Sequence, residues 1–178
     1  SQAENASFPV IVASGPNSAM PHYYESKRKV LENDIILIDM GVVYKGYSSD
    51  LTRVVFTGKI KPLFRNVYRV VARAAEEAFK AVKPGIKASE IDKAARDYIN
   101  KSGFGECFAH NTGHGVGLEI HEFPIISRKS NAKLKNGNVF TIEPGIYLPG
   151  KGGIRIENMV SVERNKAVQL TTAPVLNL

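Results

Sequence analysis

The chain has 178 residues, 43% hydrophobic and 23% charged, which suits one compact domain with its own core. No apolar run approaches the roughly 18 residues of a membrane span. SQAENASFPVIVASG lacks the basic region and long apolar stretch of a secretory signal. The one cysteine, Cys107, excludes an internal disulfide, and a cytoplasmic protein is expected. The net charge of +7 comes from scattered bases such as Lys27-Arg28-Lys29, Lys59, Lys61, Lys133 and Lys135. They read as solvated faces, so no nucleic-acid partner is expected, although the excess would attract an anionic ligand such as a peptide carboxylate.

In chain order, Phe8 to Ala13 reads as a strand and Ser14-Gly15-Pro16-Asn17 as a turn. Ile35 to Asp39, Val42 to Tyr47 and Leu51 to Thr57 read as short antiparallel strands punctuated by Gly41 and Gly46. The period then changes. Leu63, Val67, Val70, Val71, Ala74, Ala78 and Val82 recur every three or four positions, predicting an amphipathic helix opened by Pro62 and closed by Lys83-Pro84-Gly85. A second helix is predicted from Ser89, with Ser-x-x-Asp as a near capping box. It turns Ile91, Ala94, Ala95 and Tyr98 inward and stops at Gly103. Strands follow at Leu118 to His121, Asn138 to Glu143 and Ile154 to Val162. Strands, two helices, then strands is an α+β pattern, with helices on one face of an antiparallel sheet.

Four acids interrupt apolar runs: Asp39 ends IILID, Asp50 precedes LTRVV, Glu143 ends NVFTI and Glu157 sits in GIRIENMV. Burying an ionised carboxylate without compensation costs several kcal/mol. Four such acids in one small domain point to a compensating cation. Of the four histidines, His110, His114 and His121 fall within twelve residues, around the glycine-rich TGHGVGLEIHE. Carboxylates with an imidazole suit a divalent metal such as Mn, Co, Fe or Zn. Cys107 near His110 is no nucleophile candidate, because a cysteine peptidase needs no carboxylate cage.

These segments resemble the pita-bread metallopeptidases: methionine aminopeptidase, aminopeptidase P, prolidase and creatinase. The resemblance runs from about Phe8 to Glu163. It rests on Asp39 and Asp50 eleven apart, His114 in TGHGVG, Glu143 in TIEPGIY and Glu157 in RIENMV. Asp50-Leu51-Thr52-Arg53, the run ending at Tyr147 and Gly153-Ile154-Arg155-Ile156-Glu157 are similar to the Xaa-Pro branch.

The resemblance implies a curved antiparallel sheet with helices on one face and two divalent ions, Mn or Co before Zn or Fe. Their ligands would be Asp39, Asp50, His114, Glu143 and Glu157, with Asp50 and Glu157 bridging. It implies a shared hydroxide as nucleophile and Glu143 as general base. His121 and His22 take proton-shuttle and intermediate-stabilising roles, His121 also contacting substrate, and His110 lies near the proline end of the substrate. Arg155, on the same strand face as Glu157, either pairs with a carboxylate in the pocket or compensates charge structurally. Tyr147 either hydrogen-bonds in the site or packs in the core.

The implied function is hydrolysis of Xaa-Pro bonds in small peptides, as a dipeptidase or an aminopeptidase. A methionine aminopeptidase-like enzyme and a non-catalytic pita-bread binding module are the alternatives. Residues 1–178 are expected to form one partial catalytic domain. By the resemblance, these residues are expected to lack the fold's first two helices and the usual N-terminal domain, and a homodimer or association with the missing part is expected.

Overall fold

A computed structural model describes residues 2–23, 27–164 and 166–178. Side-chain alternation builds the first half. β1 (Asn5–Ala6), β2 (Ile11–Ser14), β3 (Ile35–Met40), β4 (Val42–Tyr44), β5 (Tyr47–Ser48) and β6 (Leu51–Phe56) pair antiparallel in two ladders, β2-β3-β6 and β1-β4-β5. In β3, Ile35, Leu37 and Asp39 face inward while Ile36 and Ile38 are half-buried. Period two therefore carries an acid onto the core face. In β6 the inward residues are Thr52 and Val54. The register sets Asp39 opposite Thr52 on one side and opposite Ile11 on the other. The predicted strand at 42–47 is a hairpin, in which Lys45 (φ 50°) and Gly46 (φ 77°) make a two-residue turn with both φ positive. The first predicted strand starts at Ile11 rather than Phe8.

α1 (Pro62–Ala81) begins as predicted with proline in its first turn, where the missing N–H bonds nothing anyway. Val67, Tyr68, Val71, Ala74 and Ala78 are buried. Leu63 is exposed, and Phe64 takes the inward position. α2 (Ala88–Lys101) starts one residue early and its N-cap is Lys87, with no side-chain capping bond. Ser89 lies inside the first turn, so the predicted capping box does not form. Asp92 instead turns inward to Arg96. That rotates the buried face: Ile91, Ala95 and Ile99 are fully enclosed, whereas Ala94 and Tyr98 are half-buried.

The second half contributes β7 (Gly113–Gly115), β8 (Glu122–Ile126), β9 (Val139–Ile142), β10 (Gly145–Leu148), β11 (Gly152–Arg155), β12 (Asn158–Glu163) and β13 (Lys166–Gln169). They form a β13-β12-β9-β7-β8 ladder and a β10-β11 ribbon. α1 packs on β9, β10 and β11, and α2 on α1 and β8. This is the expected α+β arrangement of antiparallel strands with helices on one face.

Two predicted strands differ. Residues 118–121 form a bend, because Gly117 N–H donates to Glu119 O (3.1 Å) and Glu119 N–H to the Glu122 carboxylate (2.8 Å). The run 154–162 breaks at Ile156-Glu157, and its halves pair with β10 and β9 respectively. At the break Glu157 N–H donates to Thr52 O (3.2 Å), and Arg53 donates to Glu157 O (2.6 Å), joining the two halves of the fold. Among the described residues no helix is long and apolar enough to cross a membrane.

Phe140 on β9, paired with Gly115 on one side and Val160 on the other, is fully buried. Phe140→Ala is expected to lower the unfolding free energy by about 3–5 kcal/mol in a urea titration. A loss below about 1 kcal/mol would contradict this packing.

Candidate metal centre

The strand pattern carries five side chains to one place. Asp39 comes from the inner face of β3 and Asp50 from the residue before β6. His114 is the middle residue of β7. Glu143 directly follows β9, and Glu157 occupies the break between β11 and β12. β7 lies so close to β9 that a Cβ on Gly113 would sit 1.9 Å from Thr141 O, so only glycine fits there. Together with His22, His110, His121 and Arg155, these five line one cavity of about 380 Å³. All nine residues singled out in the sequence are thus brought together. Phe8, Ile11, Ile120 and Ile125 supply an apolar wall.

Ligand atoms of Asp50, His114 and Glu157 all lie within 4.8 Å of one another. His114 Nε2 is 3.6 Å from Asp50 Oδ2 and 3.4 Å from Glu143 Oε1. Its Nδ1 lies 3.0 Å from Gly115 O, which places the proton on Nδ1 and leaves the Nε2 lone pair facing the acids. Burial lowers the His114 pKa and keeps the ring neutral, as a metal ligand must be.

The electrostatics are one-sided. Burial pushes the Asp50 pKa up to about 8, with the Asp39 and Glu143 charges adding to it. Burial takes Glu143 up to about 7. Glu157 is raised well above the ordinary carboxylate value by burial, then by Glu143, Asp50 and Asp39. Asp39 Oδ1 is buried with no hydrogen-bond partner. An orphaned carboxylate oxygen, a clustered oxygen and nitrogen donor set and crowded acids all fit divalent cations.

Arg155 is the one Lys or Arg among the described residues lining the cavity. The carboxylate it meets is Asp39, at 2.6 Å from Nη2. Its Nε donates to Thr52 Oγ1 (3.0 Å), and Thr52 donates to Glu157 Oε2 (2.6 Å). Its Nη1 donates to the Tyr147 hydroxyl (2.9 Å). Burial opposes the Arg155 charge, but Tyr147, Asp39, Glu157 and Glu143 outweigh it and raise its pKa.

Tyr147 accepts from Arg155, so its own proton goes to His110 Nε2, 2.8 Å away, while His110 Nδ1 donates to Asn111 O (2.7 Å). Burial lowers the His110 pKa to about 4 and raises that of Tyr147 to about 12. Both ring nitrogens of His110 are therefore engaged within the protein, and the cavity receives its ring rather than a free N–H. The open question about Tyr147 resolves as a hydrogen-bonded site residue. His121 and His22 are exposed, and the His121 ring centroid lies 4.3 Å from that of His114.

The sequence reading missed two threonines. Thr52 links Glu157 to Arg155, and Thr141 accepts from His114 N–H (3.1 Å) while donating to Glu143 Oε1 (3.1 Å). Alternation along LTRVV carries a signal for Thr52, since it places that hydroxyl on the face of Val54. Thr141 has no such signal, because all of β9 from Phe140 to Ile142 is buried.

Thr52→Val keeps the shape and removes both bonds. Losing a hydrogen bond that orients a ligand carboxylate weakens metal binding by about 10–100-fold. Calorimetric Mn²⁺ titration is expected to show that loss with cooperative melting retained; unchanged affinity would contradict the linking role. A second expectation concerns pH. Raised carboxylate pKa values mean that the folded state binds more protons than the unfolded one between the unfolded value and the folded value, so stability falls as pH rises through that window. Burial lowers the pKa values of His110 and His114, which gives an opposing slope around pH 6.5 that fades above about pH 7.5, where both are largely neutral in either state. In chelator-treated protein, melting temperature should therefore fall from about pH 7.5 upward as Glu143 and Asp50 lose protons, and Mn²⁺ should reverse the trend. A flat or rising profile would contradict the assignment.

Comparison with known proteins agrees with this arrangement. Residues 1–164 match the profile of metallopeptidase family M24. The Xaa-Pro dipeptidase of Pyrococcus furiosus is 46% identical over 169 residues, covering 95% of this chain and 49% of that protein. A recombinant prolidase from Thermococcus sibiricus superimposes with a TM-score of 0.96 at 47% identity, over 97% of this chain and 47% of the other. The X-Pro aminopeptidase of Thermotoga maritima gives 0.95 at 44% identity, over 98% and 49%. The chain spans about half the length of the curated relatives it matches. Profile, sequence and fold converge: the chain belongs to metallopeptidase family M24 and has its pita-bread architecture.

Proposed function

We propose that residues 1–178 form a catalytic domain of a metal-dependent exopeptidase that hydrolyses Xaa-Pro bonds in small peptides. The observation that carries this reading is the convergence of Asp50, His114 and Glu157 within 4.8 Å, with Glu143 Oε1 3.4 Å from His114. The relatives named Xaa-Pro dipeptidase and X-Pro aminopeptidase support the bond type, and both product patterns fit. Asp39, Asp50, His114, Glu143 and Glu157 would hold two divalent ions, Mn²⁺ or Co²⁺. Such ions supply a nucleophile from water near neutral pH and polarise a carbonyl.

The protein's own groups do the rest. Glu143 takes a proton from water and passes one to the leaving proline nitrogen. Thr141 fixes the orientation of that carboxylate. His22 and His121, exposed at the cavity mouth, exchange protons with solvent and steady the developing oxyanion. The neutral His110 ring, pinned by Tyr147, faces the proline ring, and the apolar wall excludes water from the scissile bond. Arg155 holds Asp39 in place. Assembly with a second copy, or with the remainder of the fold, completes the reading.

The test is hydrolysis of Xaa-Pro dipeptides and Xaa-Pro-Xaa peptides by the intact protein, first chelator-treated and then supplied with Mn²⁺ or Co²⁺. Activity that returns with metal is expected. Glu143→Gln should lower kcat by about 10²–10⁴-fold, the usual range for a general base. Metal-loaded wild-type protein that cleaves neither substrate would contradict the proposal, and so would a Gln variant near the wild-type rate.

A further inference from the structure

One buried ion pair lies outside the cavity and has no part in the chemistry above. On α2, Asp92 is fully enclosed and Arg96 is 8% exposed. Arg96 Nε and Nη2 donate to the two Asp92 oxygens, at 2.9 and 2.8 Å. Its remaining N–H groups point away from the helix: Nη1 donates to Phe108 O and Nη2 to His110 O, both at 2.9 Å. The guanidinium also lies 4.1 Å from the centroid of the Phe108 ring. From the other side, Asp92 Oδ1 accepts from Thr112 Oγ1 (2.9 Å) and Thr112 N–H (3.2 Å).

The contacts beyond the pair itself fall on residues 108–112, a stretch outside any helix or strand that is tied to β8 where Thr112 N–H also donates to Ile126 O (2.9 Å). That stretch carries His110 and Asn111 into the cavity and runs directly into the β7 residue His114. Its last carbonyl, Thr112 O, accepts the Glu143 N–H at 2.8 Å. A buried ion pair adds little net stability compared with apolar packing. A guanidinium fork, however, can fix two carbonyls and a carboxylate in one plane, which a lysine cannot. We propose that Asp92 and Arg96 are positioning residues, an ion pair on α2 that sets the backbone of 108–112 and so holds His110 against Tyr147 and Glu143 in register.

A separate cavity of about 630 Å³ opens on the far side of this stretch and is lined by Asp92, Arg96 and Phe108, so a small cation can reach the pair. This allows a rescue experiment on the intact protein. In Arg96→Ala, cooperative melting is expected to survive. Long-range ¹H–¹⁵N spectra should show His110 losing its single Nδ1–H tautomer. For an Xaa-Pro dipeptide, kcat/KM should fall by about 10–100-fold, mainly through KM, the usual cost of losing a supporting partner. Millimolar guanidinium, with sodium chloride as the ionic-strength control, should restore both readouts.

Wild-type ring signals and kinetics in the folded variant would overturn the proposal. So would losses that guanidinium does not reverse. If Arg96→Ala does not melt cooperatively, Arg96→Lys carries the same readouts: it retains a charge for Asp92 but cannot bridge both carbonyls, so an unchanged His110 tautomer there overturns the proposal too. The kinetic arm rests on the peptidase reading. A wild-type protein without peptidase activity defeats that reading alone and leaves the His110 spectrum to decide this one.

Discussion

Among the described residues, four carboxylates share one small cavity with a single guanidinium, and the rest of the structure follows from that imbalance. Asp39, Asp50, Glu143 and Glu157 cannot all ionise there unaided, and burial raises three of their pKa values accordingly. Arg155 neutralises one acid directly and reaches a second through Thr52. The remaining demand is met by protons or by cations. The neutral His114, with its lone pair turned inward, adds the nitrogen donor that favours cations. The same crowding that would destabilise an ordinary core supplies the negative charge that the proposed cations need.

The fold pays for this arrangement with local irregularity. Regular alternation brings Asp39 and Thr52 to the inner face of the first ladder. Glu157, by contrast, needs a break in an otherwise continuous apolar strand, sealed by Thr52 O and Arg53. His114 needs a three-residue strand pressed against β9, which only a glycine beside it permits. The 108–112 stretch meets the ladder at Thr112 and otherwise leans on side chains from α2. Regular elements thus supply the frame, and each departure from regularity aims one functional group.

What could be read from the sequence follows the same division. α1 was legible because its apolar residues repeat at helical spacing, and only the exposed first-turn residue, Leu63, departs. The four cavity acids were legible because each interrupts an apolar run, where an unpaired charge is expensive. The two histidines of TGHGVGLEIHE take different places: His114 faces the acids, and His121 is exposed beside it. Contacts across long sequence distances were not legible. Thr52 and Glu157 are 105 residues apart, and nothing local ties them together. Asp92 and Arg96 look like the polar face of a surface helix, yet they are buried because residues 108–112 cover them. The bend at 118–121 was read as a strand because apolar residues flank it, while the competing Glu122 side-chain bond leaves no pattern.

If cations replace protons in the cavity, metal binding must release protons, and this is the most direct measure of the central claim. Calorimetric titration of the intact protein with Mn²⁺ near pH 6.5, repeated in buffers of different ionisation enthalpy, counts them. The account predicts release of roughly one proton or more per chain, because ligands must deprotonate to bind, with the number falling toward zero above pH 8. Tight Mn²⁺ binding at pH 6.5 with no proton release would contradict it.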